Sequence, residues 1–234
     1  MKICYTVIIG DYDDLKQPFI LSQGWRYVCF TDQDFELPSD NKWEIVKITK
    51  DPNLSNAKNA RKIKILFHQY INTEFSLFID GTFFINCDLN RWWKRFKSPM
   101  TCIDHPFDDC IYTDIKSCMS GGKGDFWKLV EQASDYKRLG IPENNGLIAS
   151  GILMRQRCEA TINICETWWE QVEKYSERDQ IAFGYAAWKH PGIFDTIEWN
   201  YQSPNVSEFL HCPHIHKSWR DEKKKEIIKK HGRW

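Results

Sequence analysis

Apolar runs in this chain end repeatedly on groups able to do chemistry. The clearest case is Phe75-Ser76-Leu77-Phe78-Ile79-Asp80-Gly81-Thr82-Phe83-Phe84-Ile85. A nearly uninterrupted apolar segment of strand length predicts a strand covered on both faces, and in open α/β sheets such strand ends open onto the ligand crevice. Asp80 is then a carboxylate delivered to a site. The plainer alternative is a simple turn, since Asp-Gly is a strong hairpin signal. Arg61 and Lys64 stand on a helical stretch just before this strand. A charge run usually makes a solvated face, but this one could aim two cations at the same crevice. Asp179, within Arg178-Asp179-Gln180, could take a proton or steady a developing cation. It could equally support a helix start, because Ser176-x-x-Asp179 fits a capping box. His105 reads either as a backbone-bonded histidine or as a wall of the crevice. The cluster His211, Cys212, His214 and His216 could form a zinc site, with an exposed tail as the default.

These groups need a scaffold, and 234 residues suffice for one good-sized domain with its own core. Lys+Arg and Asp+Glu each total 32, so no net field marks a nucleic-acid partner. Aromatic residues make up 15%, which suits a large core and also faces that stack on rings. Nine cysteines, an odd number without a Cys-x-x-Cys pair, read as reduced and mostly buried thiols, Cys4, Cys29 and Cys102 among them. The first residues enter a strand pattern directly and no segment is long enough to span a bilayer, so the expectation is a soluble, cytoplasmic protein. The closing basic segment, Arg220 to Lys230, reads as a solvated helix, with peripheral contact to an anionic membrane as a secondary use.

Strands are predicted at Lys2 to Gly10, Trp25 to Phe30 and Trp43 to Ile48, with the first two closing on polar residues. A helix is predicted over Asn56 to Tyr70, where Ala60, Ile63, Leu66, Phe67 and Tyr70 recur at helical spacing. A short aromatic helix at Leu89 to Phe96 and a strand at Met100 to Asp104 follow. Beyond them come a helix at Asp125 to Leu139, a buried strand at Gly146 to Met154 and a helix at Ala160 to Tyr175. Ser176 is placed to cap one more helix. The chain from Ser203 reads as an irregular tail. Strands alternating with helices, with polar strand ends, predict a mixed or parallel sheet with a crevice at one edge. Neither dinucleotide-binding nor P-loop glycine patterns occur, and a Gly-x-Ser-x-Gly elbow is absent.

Six blocks carry a more specific resemblance. They are Tyr5 to Gly10 with Tyr12 and Asp13; Cys29-Phe30-Thr31-Asp32; Asn59-Ala60-Arg61-Lys62-Ile63-Lys64; Phe78-Ile79-Asp80-Gly81; His105-Pro106 with Asp109-Cys110-Ile111-Tyr112; and Arg178-Asp179-Gln180. In this order they resemble a glycosyltransferase-like family that includes plant cell-wall and mucilage proteins. The resemblance implies a GT-A-like α/β fold, a mixed, mainly parallel sheet flanked by helices in a single domain over residues 1–202, with 203–234 as a tail and helix. It implies transfer of a sugar from a nucleotide-sugar donor, by analogy uridine-based, to a hydroxyl on a glycan or glycoconjugate acceptor. A departing diphosphate needs positive charge, from a divalent cation or from Arg and Lys.

By that resemblance Asp80 is the ligand of a divalent cation, Mn or Mg. Thr82 stands where the usual Asp-x-Asp has its second acid, which shifts weight to Arg61 and Lys64. Thr6, Gly10, Tyr12, Asp32, Gly81 and Gln180 join them in holding the nucleotide sugar. Asp179 is the carboxylate near the reacting sugar, and His105 lines the acceptor side. His214 and His216 resemble the C-terminal metal ligand of family 8 glycosyltransferases. The rivals are a non-catalytic nucleotide- or carbohydrate-binding module and a metal-dependent hydrolase.

Overall fold

The computed structural model describes residues 1–10, 12–199 and 208–211. Its centre is a seven-stranded sheet. β1 (Lys2–Ile8) pairs in parallel with β2 (Trp25–Thr31), and β3 (Glu44–Lys47) extends β2 in the same direction. On the other side of β1 lies β4 (Phe75–Ile79), also parallel. The strand beyond it, Ile148–Gln156, runs antiparallel to β4 and to its next neighbour, Met100–Asp104, and the edge strand Phe194–Ile197 is parallel to the latter. Numbering along the chain, with β5 (Phe83–Ile85) outside this sheet, makes Met100–Asp104 β6, Ile148–Gln156 β7 and Phe194–Ile197 β8. The sheet order is β3-β2-β1-β4-β7-β6-β8, with β7 alone reversed. The sheet is therefore mixed and mainly parallel, as expected.

Alternation along β1 sends Ile3, Tyr5 and Ile9 to one face and Cys4 and Ile8 to the other. The first face is covered by α1 (Asn56–Ile65), α2 (Phe67–Tyr70), α6 (Glu159–Lys174) and α7 (Asp179–Lys189), α3 to α5 being given below. Trp168 of α6 is wholly buried there, its ring edge-on to Phe183 at 4.9 Å. Replacing such an aromatic with alanine typically costs about 3–5 kcal/mol. The second face is covered by α3 (Leu89–Trp93) and by the two-stranded ribbon of β5 with β9 (Phe209–His211). α4 (Ile111–Ser120) and α5 (Phe126–Arg138) make a third packed group against Ile181 of α7.

Local chemistry explains most boundaries. Ser55 accepts the Lys58 N–H at the start of α1, Asp88 the Asn90 N–H at α3, and Asp125 the Lys128 N–H at α5. Gly140, at φ +79°, turns the chain after α5. The eight described cysteines are free thiols.

The differences from expectation are informative. The helix predicted through Tyr70 breaks at Leu66, which separates α1 from α2. Ser176 does not cap α7, whose N-cap is Arg178; the Ser176 hydroxyl instead accepts the Arg178 N–H at 3.3 Å. Helix α4 lacks a capping side chain, since Cys110 precedes it. Strand β8 is short and carries charge, and β9 lies inside the segment read as an irregular tail.

Candidate active site

Chain order along the sheet reverses between β1 and β4, because β2 and β3 lie to one side and β7, β6 and β8 to the other. Such a switch point is where open α/β sheets form their ligand crevice, outside the carboxyl ends of the strands. Gly10 follows the end of β1, Asp32 the end of β2, Asp80 the end of β4 and His105 the end of β6. Reversed β7 brings its beginning, with Ser150, to this same edge.

On the β1 side the loop is tightly specified. Gly10 has φ +66°, and a Cβ there would stand 2.2 Å from the Asn56 amide nitrogen, so a larger residue would be strained and would have to displace Asn56. Its N–H donates to Asp32 Oδ1 at 2.7 Å, and its carbonyl accepts from the Gln33 amide. Asp32 also pairs with Lys50 at 2.9 Å. Its carboxyl lies below the usual range: partial burial works against that, but Lys50 and the Gly10 N–H prevail. Tyr12 is exposed at the rim. Thr6 is buried on the Cys4 and Ile8 face, inside the strand rather than at its mouth, and its hydroxyl has no hydrogen-bond partner. Lys16, unremarked in the sequence, bonds Asp13 Oδ1 and the Gly81 carbonyl, each at 2.7 Å. This buried pair ties the loop after β1 to the Asp80-Gly81 turn.

The centre of the edge is an ion cluster. Asp179, the first residue of α7, is 2% exposed, and its Oδ2 accepts from Lys64 Nζ at 2.5 Å and Ser150 Oγ at 3.1 Å. Arg61 Nε lies 3.3 Å from the same oxygen. Trp168 pins the backbone by donating to the Asp179 carbonyl at 2.7 Å. Burial alone would raise the Asp179 carboxyl, but Arg61 and Lys64 overcome it and hold the group far below the usual carboxylate range. The N-terminus of α7 adds to this preference for the anion.

Lys64 is also 2% exposed, so this member of the charge run turns into the core instead of onto a solvated face. Burial pulls its ammonium down to about 8, with Arg61 assisting and Asp179 opposing. Its remaining contacts are Ser150 Oγ at 2.9 Å and the ring of Phe78, 5.0 Å away. Arg61 keeps its proton more firmly than usual: burial works against the charge, but Asp179 and then Asp80 outweigh it. Asp80, Arg61, Lys64 and Asp179 are thus one electrostatic unit.

Asp80 is held by Thr82, whose N–H and hydroxyl donate to its Oδ1 at 3.1 and 2.9 Å. Thr82 therefore shapes the carboxylate instead of adding a second acid. Among the described residues no group of three or more His, Cys, Asp or Glu side chains could hold a metal ion. His214 and His216 lie outside the described residues. His211 is described: it pairs with Phe83 across the β5–β9 ribbon, three positions from Asp80, with the two rings 5.3 Å apart.

At the β6 side, the His105 N–H donates to the Leu147 carbonyl at 2.9 Å, and His105 Nδ1 accepts the Asp108 N–H at 3.1 Å. The proton of the neutral ring therefore sits on Nε2. Gln180 donates to the Ile148 carbonyl at 2.9 Å and accepts from Arg178 at 3.4 Å, so its amide is engaged within the protein. Ser150 was missed in the sequence. The signal available was a lone hydroxyl inside the apolar Gly146 to Met154 strand.

The mixed, mainly parallel seven-stranded sheet with flanking helices is GT-A-like. Mouse xyloside xylosyltransferase 1, in its apo crystal structure, superposes with a TM-score of 0.54 over 98% of this chain and 93% of that one, at 9% identity. The galactosyltransferase LgtC, solved with donor and acceptor sugar analogues, aligns over 84% of this chain and 73% of its own, at 12% identity and a TM-score of 0.45. Residues 2–200 match the TOD1/MUCI70, glycosyltransferase-like domain, and the chain belongs to that family. A curated Arabidopsis thaliana relative, "Probable hexosyltransferase MUCI70", is 23% identical over 91% of this chain. The match spans 41% of that relative's length.

Proposed function

We propose that the protein is a glycosyltransferase that moves a sugar from a nucleoside diphosphate donor, uridine-based by family likeness, to a hydroxyl on a glycan or glycoconjugate. The observation that carries this reading is the buried, ionised Asp179, held by Lys64 and Arg61 at the switch-point edge beside Asp80. The donor's diphosphate lies between the loops after β1 and β4, near Arg61, because the Lys64 ammonium is committed to Asp179 and Ser150.

In the reaction the bond from the anomeric carbon to the diphosphate oxygen breaks and the oxygen leaves with the electron pair. A new bond forms to the acceptor oxygen, whose proton passes to the departing diphosphate oxygen. A carboxyl held so acidic is a weak proton acceptor, so Asp179 serves as a fixed anion facing the positive charge that develops on the sugar. His105, which presents Nε2–H, orients the acceptor hydroxyl. A divalent cation held by Asp80 with His214 or His216 is a separate part of the proposal, and it would supply further positive charge at the departing diphosphate.

The test is a thermal-shift screen of uridine and guanosine diphosphates and their sugars, with and without Mn, followed by a transfer assay on Asp179→Asn. A ligand that binds the native state raises the melting temperature. The reading expects a shift with a uridine nucleotide and loss of transfer, but not of the shift, in the variant. Growth of the shift with Mn supports the cation, and indifference to Mn leaves Arg61 as the counter-charge. Binding without transfer by the wild-type protein would establish the non-catalytic module instead. The absence of any nucleotide shift would overturn the proposal.

A further inference from the structure

Helix α1 ends where the site begins. After Ile65 the chain leaves helical geometry at Leu66 (φ −83°, ψ 44°), and the last carbonyls of α1 point toward the sheet. Two side chains from different strands receive them. The Tyr5 hydroxyl, from β1, donates to the Lys64 carbonyl at 2.9 Å. Arg155, from β7, donates through Nη1 to the Ile65 carbonyl at 3.3 Å and through Nη2 to the Tyr5 oxygen.

Arg155 is wholly buried, and no carboxylate among the described residues pairs with it. A buried cation without a counter-ion is strongly unfavourable unless fixed dipoles replace the lost water. The C-terminus of α1 provides them, since a helix end carries about half a negative charge on its unpaired carbonyls. The Cys165 sulfur lies 4.0 Å from Nη1, and the π faces of Phe67 and Tyr5 pack on the guanidinium, its carbon 4.2 and 5.8 Å from the two ring centres. One nitrogen, Nε, still finds no hydrogen-bond partner. The guanidinium's hydrogen bonds supply partners to the Ile65 carbonyl at the end of α1 and to the Tyr5 oxygen.

What the arrangement does achieve is control of one residue. Lys64 is held at both ends: its carbonyl by Tyr5 of β1, which Arg155 of β7 in turn holds, and its ammonium by Ser150 of β7. A local irregularity of β7 pairing near Gly151 lets Ser150 and Arg155 reach the same helical layer despite their odd spacing. We propose that the Tyr5–Arg155 pair is the positioning device for Lys64, setting the Lys64–Asp179 contact used in the glycosyl transfer above, the reading on which this inference rests. Tyr5 and Arg155 touch no substrate and act through Lys64.

The test has a readout independent of catalysis. In protein labelled at lysine Cε, the Lys64 resonance is titrated in wild type, Tyr5→Phe and Arg155→Met. The groups facing the ammonium are Asp179, Arg61, Asp80 and the Ser150 hydroxyl, and none of them is changed. A displaced ammonium would move its midpoint by about half a unit or more, whereas a role limited to core stability leaves it in place. Turnover supplies the second arm. Tyr5→Phe and Arg155→Met are expected to lower kcat about tenfold with nucleotide affinity within about twofold, and Arg155→Met to add nothing in a Lys64→Met background. An unmoved midpoint in Tyr5→Phe, or an undiminished effect of Arg155→Met in the Lys64→Met background, overturns the inference. Tyr5→Phe, which removes one hydroxyl, decides the matter where Arg155→Met fails to fold. Absence of nucleotide binding by the wild type would instead sink the functional reading and leave the titration to judge this one.

Discussion

Replacing Asp179 with asparagine keeps the shape of the side chain and removes the charge that holds Lys64 and Arg61. Breaking one side of a buried ion pair usually costs about 3–5 kcal/mol. The structure sets its own ceiling on that cost, because Lys64 can shed its proton. Neutralising a lysine whose unfolded pKa is about 10.4 costs, at pH 7, about 1.36 kcal/mol for each of roughly 3.4 units, or about 4.6 kcal/mol. In the wild type the folded value is already down to about 8, through burial first and Arg61 second, against the pull of Asp179. Without Asp179 it falls further, since burial and Arg61 remain. The unfolded chain then binds more protons than the folded variant across the neutral range, so the variant gains stability as pH rises. Between pH 7 and 8 it should gain up to about 1.4 kcal/mol on the wild type, and above pH 8 the two curves should run parallel. Urea denaturation at pH 7, 8 and 9 measures this directly. A stability difference that stays constant from pH 7 to 8 would refute the argument that Lys64 is the group left stranded.

Transfer should also carry an alkaline limb: as Lys64 loses its proton near pH 8, Asp179 loses its closest cation, and kcat should fall with an apparent pKa of about 8. A flat profile to pH 10 would disconnect Lys64 from the reaction. Gly10→Ala should destabilise the chain by more than about 1 kcal/mol and abolish the nucleotide shift, because the residue sits at φ +66° and its new Cβ meets Asn56. Adding Asn56→Ala should recover only the part due to collision, as read by urea midpoints. Lys16→Met should cost more than about 1 kcal/mol, since it removes the buried contact to Asp13 and unties the Gly81 carbonyl. A loss below about 1 kcal/mol would show that the pair does not hold the Asp80 turn.

The core strands and the longer helices were legible because hydrophobic period and capping chemistry agree in them. Met100–Asp104 is read at its observed bounds, and Asp125 marks the start of α5 as a capping residue should. What escaped detection lacks such agreement. Cys110 offers α4 no cap, Phe194–Ile197 is four residues of mixed polarity, and Phe209–His211 is a strand only because β5 is there to pair with. Strand-end logic placed Asp80, Asp32 and His105 at the carboxyl ends of strands, where the structure has them. Helical spacing placed Lys64 off the apolar stripe without revealing that it is buried, because what draws a lysine into a core is a partner such as Asp179, 115 positions away. Ser150 and Lys16 escaped for the same reason, since a hydroxyl or an amine declares its role only through the group it meets.

The small ribbon of β5 and β9 has a temporal consequence. The strand that follows Asp80 waits for its partner until Phe209–His211 have been made, more than a hundred residues later in synthesis. The sheet of seven strands can assemble earlier, since its last member ends at Ile197. A nascent chain of the sheet alone would therefore carry the ion cluster around Asp179 but an open flank beside Asp80, with Trp92 and Phe83 still missing the ring of Phe209 and the imidazole of His211 that pack on them. The flank beside Asp80 is therefore closed only once residues 209–211 have been made.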